Sequence, residues 1–312
     1  MPAISPDPQP DTTARPSTRR RALLIVNGKA RQGQSALDSV LEACEAAGVT
    51  VERAECGRRE ELGEAIRASA GSVDLAIIGG GDGTLNAAAG ALAETGLPLA
   101  ILPLGTANDL ARTLGIPLDI EEAARVAVTG RIRRIDLGEV NGVPFFNVAS
   151  IGLSVELARE LTRDMKRRWG TLGYAIAAAR VMKRMAPMRA RIRIDGVAHR
   201  VKAVQIGVGN GRHYGGGMTV DEGASVDDGR LNVYSMDLRG WWEWPLLYPS
   251  FRAGRQGRWK NVHTWTCTEA EIVTRRPRPV NTDGELTTHT PARFRLLRRA
   301  VAVVCPAEEA EG

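Results

Sequence analysis

The sequence predicts an N-terminal α/β domain with an open, mostly parallel sheet, followed by a C-terminal antiparallel β domain. Three observations carry that prediction. From Ala22 to Leu137, short apolar runs alternate with helical periodicities across short connections, the pattern of a sheet covered on both faces. After Asp136 the texture changes to strand-like runs separated by Asn-Gly and Asp-Gly turns. The chain has 312 residues, of which 43% are hydrophobic and 25% charged; that length accommodates about two domains, and that composition excludes wholesale disorder.

Taken in order, Ala22 to Val26 is a continuous apolar run, as a strand buried on both faces requires. Ser35 to Ala47 places Leu37, Val40, Leu41 and Cys44 at helical spacing and stops at Gly48. Val49 to Val51 reads as a second strand and Glu60 to Ala70 as a second helix. Asp74 to Ile78 is a third strand that runs into glycines, and Thr84 to Glu94 is a helix ending near Gly96. Leu99 to Leu102 is a fourth strand, followed by a helix over Asn108 to Leu114. Beyond Asp136, strands are expected at Leu137 to Val148, Ala190 to Ile194, Val201 to Val208, Leu231 to Met236, Trp265 to Val273 and Phe294 to Leu297. Turns at Asn141-Gly142, Asp195-Gly196 and Asp283-Gly284 separate them, and a helical insertion over 155–187 interrupts them. The expected domains are 22–137 and 138–297, with disordered tails at 1–21 and 307–312.

Lys and Arg number 42 against 36 Asp and Glu, a net charge of +6. The excess favours contact with something anionic but is too mild to indicate nucleic acid, for which no stacking platform is evident either. No run reaches the roughly 18 apolar residues of a membrane span. Ala22 to Val26 is too short for a signal-peptide core, so a cytoplasmic protein is expected. Cys44, Cys56, Cys267 and Cys305 show no metal spacing and read as free buried thiols, and the four histidines form no cluster.

The most informative segment is Gly79-Gly80-Gly81-Asp82-Gly83-Thr84-Leu85-Asn86, a glycine run between a strand and a helix. Glycines allow positive φ and let an anion approach the backbone, and N–H groups at the helix start then face it. Asp82 suits such a loop if it meets Mg²⁺ or orders water, and Thr84 is placed to donate to a phosphate oxygen. A second polar loop, Leu102 to Asp109, ends the next strand on the same sheet edge, where open α/β sheets bind ligands. The alternative for Asn108 or Asp109 is a helix N-cap.

Gly80-Gly-Asp-Gly-Thr84-Leu-Asn86 followed by Pro103-Leu-Gly-Thr-Ala-Asn-Asp-Leu-Ala-Arg112 resembles the diacylglycerol kinase catalytic domain family, to which bacterial lipid kinases and sphingosine kinases belong, with NAD kinases as distant relatives. The similarity runs from about Ala22 to Pro306. It implies an NAD kinase-like α/β nucleotide domain, completed by a returning strand within 298–306, and a C-terminal antiparallel β-sandwich. ATP would lie between them. The resemblance implies nucleotide contacts from Gly80, Gly81, Asp82, Gly83, Thr84, Leu85, Asn86, Thr106, Asn108 and Asp109. Asn27, Gly28, Lys29, Ala30 and Arg31 match the family's first nucleotide loop, with Gly28 and Arg31 as departures. Ala87 stands where the family usually has Glu. Asp227-Asp228-Gly229 is similar to a loop that holds a structural Mg²⁺, through Asp228 with the carbonyls of Ser225 and Arg230. Asp283-Gly284-Glu285 is similar to the turn whose Glu acts as catalytic base. On spacing alone, both segments are ordinary turns.

The implied activity is an ATP- and Mg²⁺-dependent lipid kinase of phospholipid metabolism, with Glu285 and Asp82 as catalytic residues. Its acceptor would be a lipid hydroxyl at a membrane surface. The segment Glu156 to Arg193 is rich in Lys and Arg interleaved with apolar residues, which fits either a basic amphipathic helix on anionic lipid or a helix buried against the β domain. Trp241, Trp242 and Trp244 fit either a headgroup contact or core packing. The protein would be peripheral at the inner membrane surface, and a homodimer through the nucleotide-domain sheet is compatible with the pattern. The rival readings are a soluble-substrate kinase related to NAD kinases and a non-catalytic lipid- or nucleotide-sensing protein of the same fold.

Overall fold

The computed structural model describes residues 20–26, 33–160, 187–211, 213–214, 218–219, 225–238, 243, 250 and 259–307. The expectations for Asn27 to Arg31, most of the helical insertion, Trp241, Trp242, Trp244 and the tails lie outside the described residues. The N-terminal half alternates β1 (Arg21–Val26), α1 (Gly33–Ala46), β2 (Thr50–Arg53), α2 (Arg59–Ser69), β3 (Leu75–Gly80), α3 (Asp82–Thr95), β4 (Leu99–Pro103), α4 (Asp109–Thr113) and α5 (Ile120–Thr129). Strands β2, β1, β3 and β4 lie side by side and parallel. Ala22 to Ile25, Ala76 to Ile78 and Leu99 to Leu102 are all buried, which explains why these strands read as unbroken apolar runs. Helix α5 was not expected, although Asp119 and Glu122 signal its start: the Asp119 carboxylate accepts the Glu122 N–H at 3.0 Å.

The C-terminal half holds β5 (Arg131–Val140), β6 (Val143–Phe145), β7 (Val148–Gly152), α6 (Leu153–Glu160), β8 (Met188–Ile194), β9 (Val197–Ala203), β10 (Gln205–Gly209), β11 (His213–Tyr214) and β12 (Met218–Thr219). It continues through β13 (Leu231–Met236), β14 (Val262–Cys267), β15 (Glu269–Thr274), β16 (Pro279–Thr282), β17 (Glu285–His289) and β18 (Ala292–Cys305). Six of these form an antiparallel sheet in the order β14-β13-β10-β7-β16-β17. Strands β5, β6, β8, β9, β15 and β18 extend the parallel sheet into one of ten strands, and β11 pairs with β12 in a separate two-stranded sheet. One edge of β18 pairs with β15 near Phe294 and reaches β4 at Val303, while β5 runs along the other edge. A second core of Val140, Phe145, Ile151, Ile192, Ile206, Val233, Ile272 and Phe294 fills the space between the sheets. The expected fold class is therefore borne out: an α/β domain followed by an antiparallel domain of sandwich type.

The element boundaries differ where the chain changes sheets without a turn residue to mark it. The run Val201 to Val208 is two strands, β9 and β10, in different sheets, joined at Val204, whose N–H donates to the Met236 carbonyl at 2.7 Å. Trp265 to Val273 likewise divides into β14 and β15 at Thr268. Conversely, the runs at Phe294 and Ala300 are one strand, β18, interrupted by a register shift between Leu297 and Val301 where Arg299 takes a left-handed φ of 50°. Helix α3 begins at Asp82, so the Asp-Gly-Thr segment is its first turn. The four cysteines are unpaired, three of them buried and Cys56 half-buried. No helix among the described residues is long and apolar enough to cross a membrane.

Candidate active site

Two glycine loops meet at the C-terminal ends of β3 and β4. Gly81 leaves β3 with an extended backbone, and its carbonyl accepts the N–H groups of Thr84 at 2.8 Å and Leu85 at 3.1 Å, starting α3. A Cβ on Gly80 would lie 2.5 Å from the Thr84 Cβ, and one on Gly105 would lie 2.5 Å from the Gly81 Cα. The loops thus touch backbone to backbone. Glycine is required here for close approach, and the open first turn of α3 is left facing outward with the N–H groups that a helix start leaves unbonded.

The second loop is shaped by Asn108, which is buried and left-handed with a φ of 51°. Its Oδ1 accepts the Gly105 N–H at 2.9 Å, and its Nδ2 donates to the carbonyls of Pro103 at 3.2 Å and Gly105 at 3.1 Å. The sequence placed Asn108 among the nucleotide contacts or at a helix cap. Asn108 is the N-cap residue of α4 by position, but its amide folds its own loop rather than capping the helix, leaving Thr106 exposed at the tip. Across the gap, Asp82 Oδ1 accepts the Leu110 N–H at 3.1 Å and clasps α3 to α4, with Asp109 buried beside it. Leu85 packs in the N-terminal core, so only its backbone is available to a ligand, while Asn86 Oδ1 is buried without a hydrogen-bond partner.

The Asp283-Gly284-Glu285 turn comes from the other domain. Asp283 adopts a left-handed φ of 48°. Its carboxylate accepts the N–H groups of Phe146 at 2.7 Å, Asn147 at 3.0 Å and Val148 at 3.0 Å. Gly284 N–H donates to Asn281 Oδ1 at 2.9 Å. So fixed, the turn delivers Glu285 to the start of α3: a Cβ on Gly83 would lie 3.4 Å from Glu285 Oε1 and would overlap the guanidinium of Arg59. Arg59, in the first turn of α2, forms an ion pair with Glu285, and burial pulls its guanidinium below its ordinary pKa. Sequence reasoning missed Arg59, because a run of Arg58-Arg59-Glu60-Glu61 at a helix start looks like any solvated first turn. Arg58 behaves in that way, donating through Nε to Glu61 Oε1 at 2.8 Å.

Burial pushes the Asp283 carboxyl up to about 7, against the three N–H groups that favour its charged form, and the nearby charge of Asp82 adds to the rise. A folded-state value above the unfolded one means that the folded chain keeps this proton longer. The stability it contributes is complete below about pH 4 and lost as pH rises through about 7. Between pH 5 and 8 the wild type should therefore lose up to about 3 kcal/mol of stability relative to Asp283→Asn. Denaturant unfolding of both proteins across that range measures the difference in slope, and parallel curves would remove Asp283 as the titrating group.

The loop at Asp228 is held from three sides. Asp228 accepts the N–H groups of Ser225 at 3.1 Å and Arg230 at 2.9 Å. Arg133 donates to both carboxylate oxygens of Asp227, at 2.8 and 2.7 Å. Asp136, 1% exposed, accepts the Gly229 N–H at 2.8 Å and the Arg299 N–H at 2.7 Å, tying the loop to the irregularity in β18. Asp136 was read only as a boundary, although a lone carboxylate between Ile135 and Leu137 in a strand was a signal that it has a buried task. Burial raises the Asp228 pKa, and the charge of Asp136 raises it further. Among the described residues no three His, Cys, Asp or Glu side chains gather as a metal cluster. A desolvated carboxylate with a second one nearby, in a loop that otherwise offers backbone oxygens, nevertheless fits a hard cation such as Mg²⁺.

Comparison with known proteins gives one pattern in both halves. Residues 21–140 match the family described as the diacylglycerol kinase catalytic domain, and residues 147–305 match the YegS C-terminal NAD kinase beta sandwich-like domain. A Klebsiella pneumoniae (strain 342) protein named "Probable lipid kinase YegS-like" is 36% identical over 70% of this chain and 74% of its own. A Yersinia enterocolitica protein of the same name is 36% identical over 84% of this chain and 89% of its own. The crystal structure of a diacylglycerol kinase from Bacillus anthracis str. Sterne superposes with a TM-score of 0.78 at 28% identity, covering 93% of this chain and 98% of that one.

Proposed function

The chain belongs to the diacylglycerol kinase catalytic domain family, and on that premise we propose that it transfers the γ-phosphate of ATP to the hydroxyl of a lipid, diacylglycerol or a similar molecule. The observation that carries this reading is the meeting of Glu285, from the C-terminal domain, with Gly83 in the first turn of α3. Phosphoryl transfer needs positioning and charge stabilisation more than covalent chemistry from the protein. The helix start and the loop tip at Thr106 would seat the triphosphate. Glu285 would take the proton of the lipid hydroxyl as its oxygen bonds to the γ-phosphorus. The bond from that phosphorus to the β–γ bridging oxygen breaks, and ADP leaves with the electron pair. Asp82, whose carboxylate accepts the Leu110 N–H, would act beside the triphosphate, with Asp109 as a partner in the Mg²⁺ network. Mg²⁺, when bound with ATP, would supply neutralisation of the β- and γ-phosphates, and Ser225, Asp228 and Arg230 would hold a separate structural ion.

Contact with the acceptor membrane is proposed to be peripheral. The end of the basic segment is strand, as expected for Ala190 to Ile194: Arg189, Arg191 and Arg193 alternate outward along β8. Arg191 lies opposite Arg200 and Arg189 opposite Lys202 on β9. Like charges placed directly across a strand pair are unfavourable in isolation, and an anionic lipid surface would offset that cost. If two copies pair through the ten-stranded sheet, β2 is its edge on the nucleotide side.

The experiment is incubation with labelled ATP and Mg²⁺ over a panel of lipids, with NAD as a soluble acceptor. A labelled lipid is the expected product. Label on NAD alone would replace the lipid reading with the soluble one, and no transfer to any acceptor by folded protein would leave a non-catalytic member of the fold.

A further inference from the structure

We propose that Arg59 is a latch exchanged by the nucleotide: it holds Glu285 until ATP arrives and then passes to the triphosphate, freeing Glu285 to act as base. This rests on the kinase reading above. Three separate elements meet at the latch, namely the first turn of α2 with Arg59, the first turn of α3 with Gly83, and the start of β17 with Glu285. The contact exists because residue 83 is glycine, since a Cβ there would overlap the Arg59 guanidinium and press on Glu285.

The charges favour exchange. A guanidinium at a helix N-terminus faces the positive end of the helix dipole, so it needs an anion at hand. In the structure that anion is Glu285, which carries a single charge. A triphosphate seated on α3 would carry several, and its oxygens match the planar fork of an Arg side chain in paired hydrogen bonds. The existing pair is also inexpensive to open. The Arg59 and Glu285 side chains are 43% and 38% exposed, and solvent screens a pair of that kind. The adjacent Arg58 is not free to substitute, because Glu61 holds it at the cap of α2. The consequence is an order of events in which Glu285 becomes available only after the nucleotide is in place.

The test compares Arg59→Ala, Arg59→Lys and Glu285→Gln with the wild type, by calorimetric titration with ATP and Mg²⁺ and by steady-state kinetics with whichever lipid is phosphorylated. Thermal unfolding confirms that each variant is folded. Arg59→Ala is expected to raise the Kd and KM for ATP about 10- to 100-fold, the size of a lost charge-assisted contact, with a smaller change in kcat at saturating ATP. Arg59→Lys should recover part of the affinity. Glu285→Gln should bind ATP about 1.5- to 5-fold more tightly than the wild type, because the competing carboxylate is gone. Folded Arg59→Ala with wild-type ATP affinity overturns the latch, as does Glu285→Gln with weakened ATP binding. Failure of the wild type itself to bind ATP would instead overturn the kinase reading and the latch with it.

Discussion

Glu285→Gln is expected to abolish most turnover, by about 10²-fold or more, the usual scale of a general-base contribution. ATP should bind at least as tightly as to the wild type, and the unfolding midpoint should be retained. The variant keeps the size of the side chain and its place at the head of β17 but removes its ability to accept the proton of the lipid hydroxyl. The turn itself is secured by other atoms. Asp283 accepts three backbone N–H groups and Gly284 donates to Asn281, and none of those bonds involves Glu285. A loss of activity without a loss of fold is therefore the signature of the proposed role. Measuring labelled lipid formed per unit time, beside an ATP titration, separates the two. Activity within a few-fold of wild type would remove Glu285 from proton transfer and require another base.

The second large effect is expected from Gly105→Ala. The new Cβ would stand 2.5 Å from the Gly81 Cα and 2.7 Å from Asn108 Oδ1. Neither neighbour can move freely: Gly81 starts α3, and Asn108 ties the loop together through Pro103 and Gly105. The loops must separate, at a cost of about 1–3 kcal/mol for forced overpacking, and the seat for the triphosphate widens with them. Reduced stability in denaturant unfolding, together with ATP binding weakened about tenfold or more, is the expected result, since small misplacements of a positioned site carry large penalties. Gly71→Ala is the control. A Cβ there meets nothing within 4 Å, and the exchange should be neutral or stabilising by about 0.5 kcal/mol. If Gly105→Ala matched Gly71→Ala in both measurements, the backbone contact between the loops would not be what builds the site.

Much of the nucleotide domain was legible because its signals are local. Strands β1, β3 and β4 are buried on both faces and so appear as apolar runs, and Gly81 and Gly105 stand where backbones touch, while Gly79, Gly80 and Gly83 stand where side chains close in. The C-terminal domain was less legible. Its strands exchange sheets at Val204 and Thr268, where neither glycine nor proline marks the change. Asn108 was read by its motif as a ligand contact, and its left-handed backbone and inward amide became evident only with the loop closed around it. The strand over Ala190 to Ile194 was by contrast legible, because Arg189, Arg191 and Arg193 alternate with buried residues along β8.

By itself, the sequence determined the order of strands and helices in the first domain as far as α4, the two glycine loops on one sheet edge, and the turn at residues 283–285. Each is set by residues within a few positions of one another, through periodicity, backbone freedom and turn chemistry. Only the tertiary structure decided that β18 joins both domains into one sheet, that Asp136 anchors the loop of Asp228, and that Arg59 and Glu285 meet above Gly83. Those contacts join segments far apart in the chain. They depend on which strands pair and on how the two cores pack, and no local pattern of residue types encodes either.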